Sequence, residues 1–374
     1  MTQRVDTQCV HAGQIEDPQG GVNTPLSLSS AYSYESAENV LYPRYYNTPN
    51  HQVVAAKLAI LEAAESGLAL ASGLAAISNV LLAHLKAGDE VLITQGCYGG
   101  TQSLMHAELP RMGATLKECA MDIDAIAQAI TPSTKIIYLE TPSNPLLEVI
   151  DLAAVAQLAR KHQILTVVDN TFATPVNQQP IALGIDIVVH SGTKYLAGHS
   201  DLSAGLVACS EPLMVPIRQT AVRYGACLNG LDLWLLERSM KTLAIRVERQ
   251  SQNALALAQA LQDHPAIEAV FYPGLETHPQ HTIAQQQMHA YGGMLSLRLA
   301  SHINPDHFEQ NLRLIRRAVS LGGVETLCCR PLYTSHAKVS ATERARLGID
   351  EQLIRLSVGI ESSEDLLTDI EQAL

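Results

Sequence analysis

From about residue 53, short apolar runs alternate with segments of helical periodicity. Runs of strand length fall at 68–71, 91–94, 136–139, 165–168 and 185–189. Apolar positions repeat at helical spacing between several of them, as in 75–85 and 152–162. Strands alternating with helices predict a mostly parallel sheet covered on both faces. The runs are mostly apolar, as strands buried on both faces require. A long helical pattern at 231–261 follows, a bridge toward shorter elements at 267–271, 294–299, 307–317 and 354–358. Before residue 53 no period survives. Gly20, Gly21, Pro25, Pro43, Pro49 and a serine cluster break it. This stretch reads as an extended arm that must lie on something, a neighbouring subunit being one candidate. The expected organisation is an arm over 1–52, an α/β domain over 53–246 and an α+β domain over 247–374.

Composition narrows the function classes. A chain of 374 residues suits about two domains. Aromatics are 4% of it, so the core is aliphatic. The net charge of −12 disfavours nucleic acid and anionic membranes as partners. No apolar stretch is long enough to span a bilayer, and the start has no apolar signal segment. Seven scattered cysteines without a C-x-x-C pair suit a reducing cytoplasm. The fourteen histidines show no metal-binding spacing, so no metal is expected.

Ligands of such sheets bind outside the carboxyl ends of the strands. The candidate chemistry lies there. Ser72, Gly73 and Leu74 follow the first strand and open a helix, as an ordinary turn or as amides for a phosphate. Tyr98 stands in a glycine-rich turn after the second and can face a flat ligand. The third ends in E-T-P-S-N-P, where Asn144 is either a donor or part of a rigid loop. Asp169 directly follows an apolar run. A carboxylate there needs a partner or serves as a helix cap. Lys194 follows the fifth run, with Ser191 and Thr193 beside it. A desolvated lysine becomes a nucleophile toward carbonyls, whereas most lysines are solvated. Together, these groups form the set that pyridoxal phosphate needs. A carboxylate serves its ring nitrogen, an aromatic its face, donors its phosphate, and a lysine forms the Schiff base.

The motifs S-G-T-K-Y with G-H-S-D, V-V-D-N-T-F-A-T-P, E-T-P-S-N-P, S-L-G-G-V-E and R-L-S-V-G occur in this order. With them the chain resembles the cystathionine and methionine metabolism family of pyridoxal-phosphate enzymes over nearly its whole length. The resemblance implies the fold of type I, aspartate-aminotransferase-like transferases. It implies that Lys194 holds the cofactor, Asp169 pairs with the pyridine nitrogen and Tyr98 stacks on the ring. Gly73, Leu74, Ser191 and Thr193 would hold the phosphate, and Asn144 would lie near the ring hydroxyl. Arg355 would bind the substrate α-carboxylate, with Ser320 and Leu321 beside it. Tyr42 and Arg44 match a Y-x-R pair that reaches into the neighbouring subunit's site, implying a dimer, usually doubled to a homotetramer.

Two departures bear on the reaction. Methionine γ-lyases of the family have a cysteine where this chain has Gly100. Many γ-lyases and γ-synthases have a glutamate where it has Val319. The reading is therefore β-elimination from L-cystathionine, giving homocysteine, pyruvate and ammonia. The alternatives are cystathionine γ-lyase, which gives cysteine and 2-oxobutyrate, and cystathionine γ-synthase. An aminotransferase is disfavoured by G-H-S-D and S-L-G-G, a non-enzymatic regulator by Lys194 with Asp169, and a dinucleotide enzyme by the lack of G-x-G-x-x-G. The stretch 331–336 is a looser match to the family's P-A-x-M-T-H.

Overall fold

The computed structural model describes residues 3–35, 40–337 and 339–374. Parts of the expected arm, 1–2 and 36–39, lie outside these. Seven strands build the first sheet: β1 (Ser66–Leu70), β2 (Glu90–Thr94), β3 (Thr115–Cys119), β4 (Thr134–Glu140), β5 (Leu165–Asp169), β6 (Ile187–Ser191) and β7 (Gly205–Cys209). Their order is β1-β7-β6-β5-β4-β2-β3. β3, β2, β4, β5 and β6 are mutually parallel, while β7 is antiparallel to both β6 and β1. The expectation of a mostly parallel sheet with helices on both faces holds. Two strands lie outside the expected runs. β3 is an edge strand with little apolar content, and β7 is a short run after the Lys194 loop.

Alternation along each strand sends successive side chains to opposite faces. On one face Ile136, Tyr138, Val167 and Val189 pack with Ile77 and Val80 of the helix Gly73–His84. On the other, Val168 packs with Val155 and Ala159 of the helix Leu152–His162. There too, Val188 joins Leu58 of the helix Pro49–Leu61. Each such aliphatic side chain contributes roughly 1.5–3 kcal/mol on burial. The alternation also aims the chemistry. Glu140, Asp169 and Ser191 continue the series that faces Gly73–His84, whereas Asn170 and His190 fall on the opposite face.

The second sheet comprises β8 (Ile267–Phe271), β9 (Met294–Leu299), β10 (Arg316–Arg317), β11 (Leu327–Cys329) and β12 (Leu353–Ser357), ordered β10-β11-β12-β9-β8. Leu257 of Leu243–Leu261 and Ile370 of Ser363–Ala373 share its core. The segment 307–317 is not one element but the end of the helix Pro305–Asn311 followed by β10. The long helical pattern also divides, into Gly230–Met240 and Leu243–Leu261. The Ser239 carbonyl explains the break. It accepts from the Thr242 amide, the Thr242 hydroxyl and Arg246 Nη2, which turns the chain out of its helical path.

The arm is less extended than expected. It contains the helix Val5–His11, anchored where buried Lys57 Nζ donates to the Cys9 carbonyl at 2.8 Å. Trp234 Nε1 holds the Thr24 carbonyl, and Asn50 Oδ1 the Ser27 amide. Val22, Leu28 and Tyr34 nevertheless stand exposed.

Gly205 opens β7 where that strand passes beneath the Ser72 turn. A Cβ there would lie 1.9 Å from the Ser72 carbonyl oxygen. Gly205→Ala should therefore lower stability by about 1–3 kcal/mol, as overpacking does. Chemical denaturation checks this; an unchanged midpoint would mean that the Ser72 turn yields freely.

Candidate active site

The carboxyl ends of β1, β2, β4, β5 and β6 meet β12 and the segment before β11 around one cavity of about 580 Å³. Its lining includes Gly73, Leu74, Tyr98, Asn144, Asp169, Ser191, Thr193, Lys194, Ser320, Leu321 and Arg355. These are all the expected site residues except Tyr42 and Arg44. That pair lies elsewhere: Arg44 stacks against Tyr42 and Tyr45 and donates to the Val222 carbonyl at 3.0 Å.

Each residue owes its position to local structure. Ser72 caps the helix Gly73–His84, accepting from the Ala75 amide, so the first turn of that helix opens on the cavity. A Cβ on Gly73 would come within 3.0 Å of Ser191 Cβ, so glycine lets this turn close on the end of β6. Tyr98 is the residue before the helix Gly99–Glu108, and its amide donates to Glu140 Oε2 at 2.6 Å. Thr193 is committed internally, its hydroxyl bonded to both the amide and the carbonyl of Ala204.

Asp169 is 6% exposed. Its Oδ1 accepts from Thr171 Oγ1 at 2.5 Å and the Thr171 amide at 3.1 Å, and Oδ2 from the Tyr138 hydroxyl at 3.3 Å. Burial raises its pKa, while the Thr171 bonds, His190 and Tyr138 oppose the rise. Arg355 is 4% exposed. Its Nη1 donates to Asn144 Oδ1 at 3.1 Å and Nη2 to the Ser320 carbonyl at 3.3 Å, while buried Nε has no partner among the described residues. Lys194 Nζ donates to Ser320 Oγ at 2.8 Å. Burial, helped by the Arg355 charge, lowers the Lys194 pKa to about 8.

Sequence reasoning passed over Glu140, Tyr138 and Thr171. Glu140 ends its strand as Asp169 ends the next, and that signal was available. The tyrosine and threonine matter only through their geometry at Asp169. Among the described residues, the exposed lining of the cavity rim is uncharged: Val319 is 67% exposed and Tyr333 56%, with Thr334 and Ser335 beside them.

The model for Cys/Met metabolism PLP-dependent enzymes matches residues 6–374. The chain belongs to that family. It is 43% identical to the cystathionine β-lyase of Lactococcus lactis (99% of this chain, 98% of that protein) and 41% identical to the L-methionine γ-lyase of Pseudomonas putida (98% and 96%). Cystathionine γ-lyase from Lactobacillus plantarum, solved with L-serine, superposes with a TM-score of 0.96 at 40% identity, covering 99% of this chain and 98% of that one. This family member is thus a pyridoxal-phosphate-dependent lyase of sulfur amino-acid metabolism with the type I fold. Its residues fit the cofactor. Asp169 offers a buried acceptor, the Gly73 turn offers amides, and Lys194 is a desolvated amine. No helix among the described residues is long and apolar enough to cross a membrane.

The lowered pKa of Lys194 is measurable in the cofactor-free protein. Labelling of Lys194 by an amine-specific reagent, read by mass spectrometry, should rise with pH through a midpoint near 8. Arg355→Met removes a neighbouring positive charge, so the midpoint should move up and labelling at pH 8 should fall. A wild-type midpoint near the ordinary lysine value of about 10.4 would contradict the burial argument.

Proposed function

We propose that this enzyme cleaves L-cystathionine by β-elimination to homocysteine, pyruvate and ammonia. One observation supports proton removal at Cα, with which either elimination begins: a desolvated amine and a buried guanidinium share a single serine. Lys194 Nζ bonds Ser320 Oγ, and Arg355 Nη2 bonds the Ser320 carbonyl. An amino acid whose α-carboxylate pairs with Arg355 would bring its Cα proton to Lys194. The unpartnered Nε of Arg355 supports a two-point grip on that carboxylate. Leu321 would close the same side.

Bound pyridoxal phosphate supplies the electron sink for a Cα carbanion. The chain's residues do the rest. Gly73, Leu74, Ser191 and Thr193 would hold the phosphate, Thr193 giving up its bond to Ala204. Asp169 would keep the ring nitrogen protonated, Tyr98 would cover the ring face, and Asn144 would stand near the ring hydroxyl. Lys194 would anchor the cofactor and, when its amine is free, would serve as the general base at Cα.

The β over γ preference draws on Val319 and the uncharged rim. Among the described lining residues of that rim, a distal ammonium group would meet no carboxylate. Gly100 supports setting methionine γ-lyase aside. A Cβ at this position would come 2.3 Å from the Tyr98 ring, so a cysteine would displace it. The alternative reading is γ-elimination or γ-replacement, and relatives named for γ-elimination are similar to the chain. We also infer a homotetramer of catalytic dimers in the cytoplasm, with arm, α/β and α+β parts divided near residues 52 and 246. The exposed apolar side chains of the arm support a subunit contact. The unpaired state of all seven cysteines supports a reducing compartment.

Incubation with L-cystathionine alone should yield pyruvate and homocysteine. Dominant 2-oxobutyrate with cysteine would replace the β reading by the γ-lyase. Lys194→Ala should lose both turnover and the absorbance of lysine-bound cofactor.

A second test addresses the subunits. Arg44→Ala and Lys194→Ala chains, each impaired alone, should regain activity when coexpressed, because hybrid dimers contain one intact site. No recovery in isolated hybrids would place Arg44 in its own chain's site or in neither.

A further inference from the structure

The buried wall of the cavity holds two carboxyl groups side by side. Glu140 stands opposite Asp169 in the parallel register of β4 and β5, and both face the helix Gly73–His84. Glu140 is 3% exposed. The groups facing it are few: Asp169, the Tyr138 hydroxyl and Cys97 thiol on the same wall, the Tyr98 amide, and the Arg355 charge. Two carboxylates one strand apart, both stripped of water, oppose each other's ionisation, and the anion is favoured on the one better supplied with donors.

Asp169 receives three hydrogen bonds, two from Thr171 and one from Tyr138, and these favour its anion. Among the described residues, Glu140 receives only the Tyr98 amide, at 2.6 Å. Burial and the adjacent Asp169 hold the Glu140 carboxyl well above the usual range, against the weaker pull of that amide and Arg355.

We propose that Glu140 works as a neutral carboxylic acid, so that Asp169 is the one anion on this wall, and that the acceptor oxygen of Glu140 positions Tyr98 over the site. Glu140 is thus a positioning residue, acting through its neighbours. The inference rests on the reading of Asp169 as partner of the ring nitrogen. A neutral neighbour leaves the whole attraction of Asp169 to that nitrogen, whereas an ionised one would compete for its proton.

Infrared difference spectroscopy of the cofactor-loaded enzyme, made with carboxyl-¹³C glutamate, tests this directly. At neutral pH an isotope-shifted carbonyl stretch of a protonated acid should be present and should vanish in Glu140→Gln. Should that variant not fold, Glu140→Asp also removes the label from this position and assigns the band. The Gln variant keeps an uncharged acceptor for the Tyr98 amide, so its dissociation constant for pyridoxal phosphate should stay within about threefold of wild type. Glu140→Ala should weaken binding about tenfold or more, the scale of one lost buried hydrogen bond. Absence of the protonated-acid band, or equal weakening by Gln and Ala, would overturn the proposal. Failure of the Asp169 reading looks different. Asp169→Asn would then bind the cofactor and its analogue with carbon in place of the ring nitrogen equally well, with the wild-type Glu140 band unchanged.

Discussion

The structure depends on a problem of charge without water. One cavity gathers Glu140, Asp169, Lys194 and Arg355, all largely withdrawn from solvent. Isolated charges in such a place would cost far more than a fold can sustain. Each is therefore tied to neutral groups. Asp169 has Thr171 and Tyr138, Arg355 has Asn144 and the Ser320 carbonyl, and Lys194 has the Ser320 hydroxyl. Direct pairing of opposite charges is avoided. That leaves Asp169, Lys194 and Arg355 able to engage charged or carbonyl groups arriving from outside, as a ligand-binding wall requires.

The fold makes this possible by simple geometry. Parallel strands end on the same side, and alternation aims every second side chain into one space. Glu140, Asp169 and Ser191 converge because each stands an even number of residues beyond a core position on its own strand. The second sheet contributes Arg355 from β12, whose burial pattern is otherwise that of a core strand. The cavity thus closes where two separately built sheets meet, and Ser320 links them: its carbonyl reaches Arg355 and its hydroxyl Lys194.

Much of this was legible in the sequence. The five apolar runs became strands of the first sheet, and the residues after them became the cavity wall. What escaped has physical reasons. β3, Thr-Leu-Lys-Glu-Cys, lies on an edge and need not be apolar. The break at Lys241 and Thr242 arises from three donors on one carbonyl, Arg246 Nη2 among them, and periodicity does not register such a bond. Glu140 was visible as a strand-end residue, but its relation to Asp169 is a matter of register between strands distant in the chain. The helix Val5–His11 was hidden because its anchors are distant in the chain: Lys57, nearly fifty residues away, donates to the Cys9 carbonyl, and Cys9 packs among residues such as Leu58 and Ala244.

The same logic explains why family membership leaves the reaction open. Relatives named for β- and γ-elimination both match this chain along nearly its whole length, at 43% and 41% identity. Whole-chain likeness therefore does not decide which bond breaks. The chemistry proposed for the wall would serve either course, since both would begin with loss of a Cα proton to Lys194. The decision falls to groups that meet the far end of the substrate, and in this chain those are rim residues. Arg330, paired with Asp306 and Glu309, lies 4.8 Å from the Tyr333 ring centre and fixes it at the mouth. A held tyrosine and an exposed Val319 make a rim that can pack against a thioether arm, with no carboxylate among its described lining residues to grip the terminal ammonium, while Glu351 is engaged by the Tyr333 hydroxyl at 3.3 Å. Specificity at that end would then fall to shape and, under the proposed dimer, to what the outward-lying Tyr42 and Arg44 of a second subunit would add.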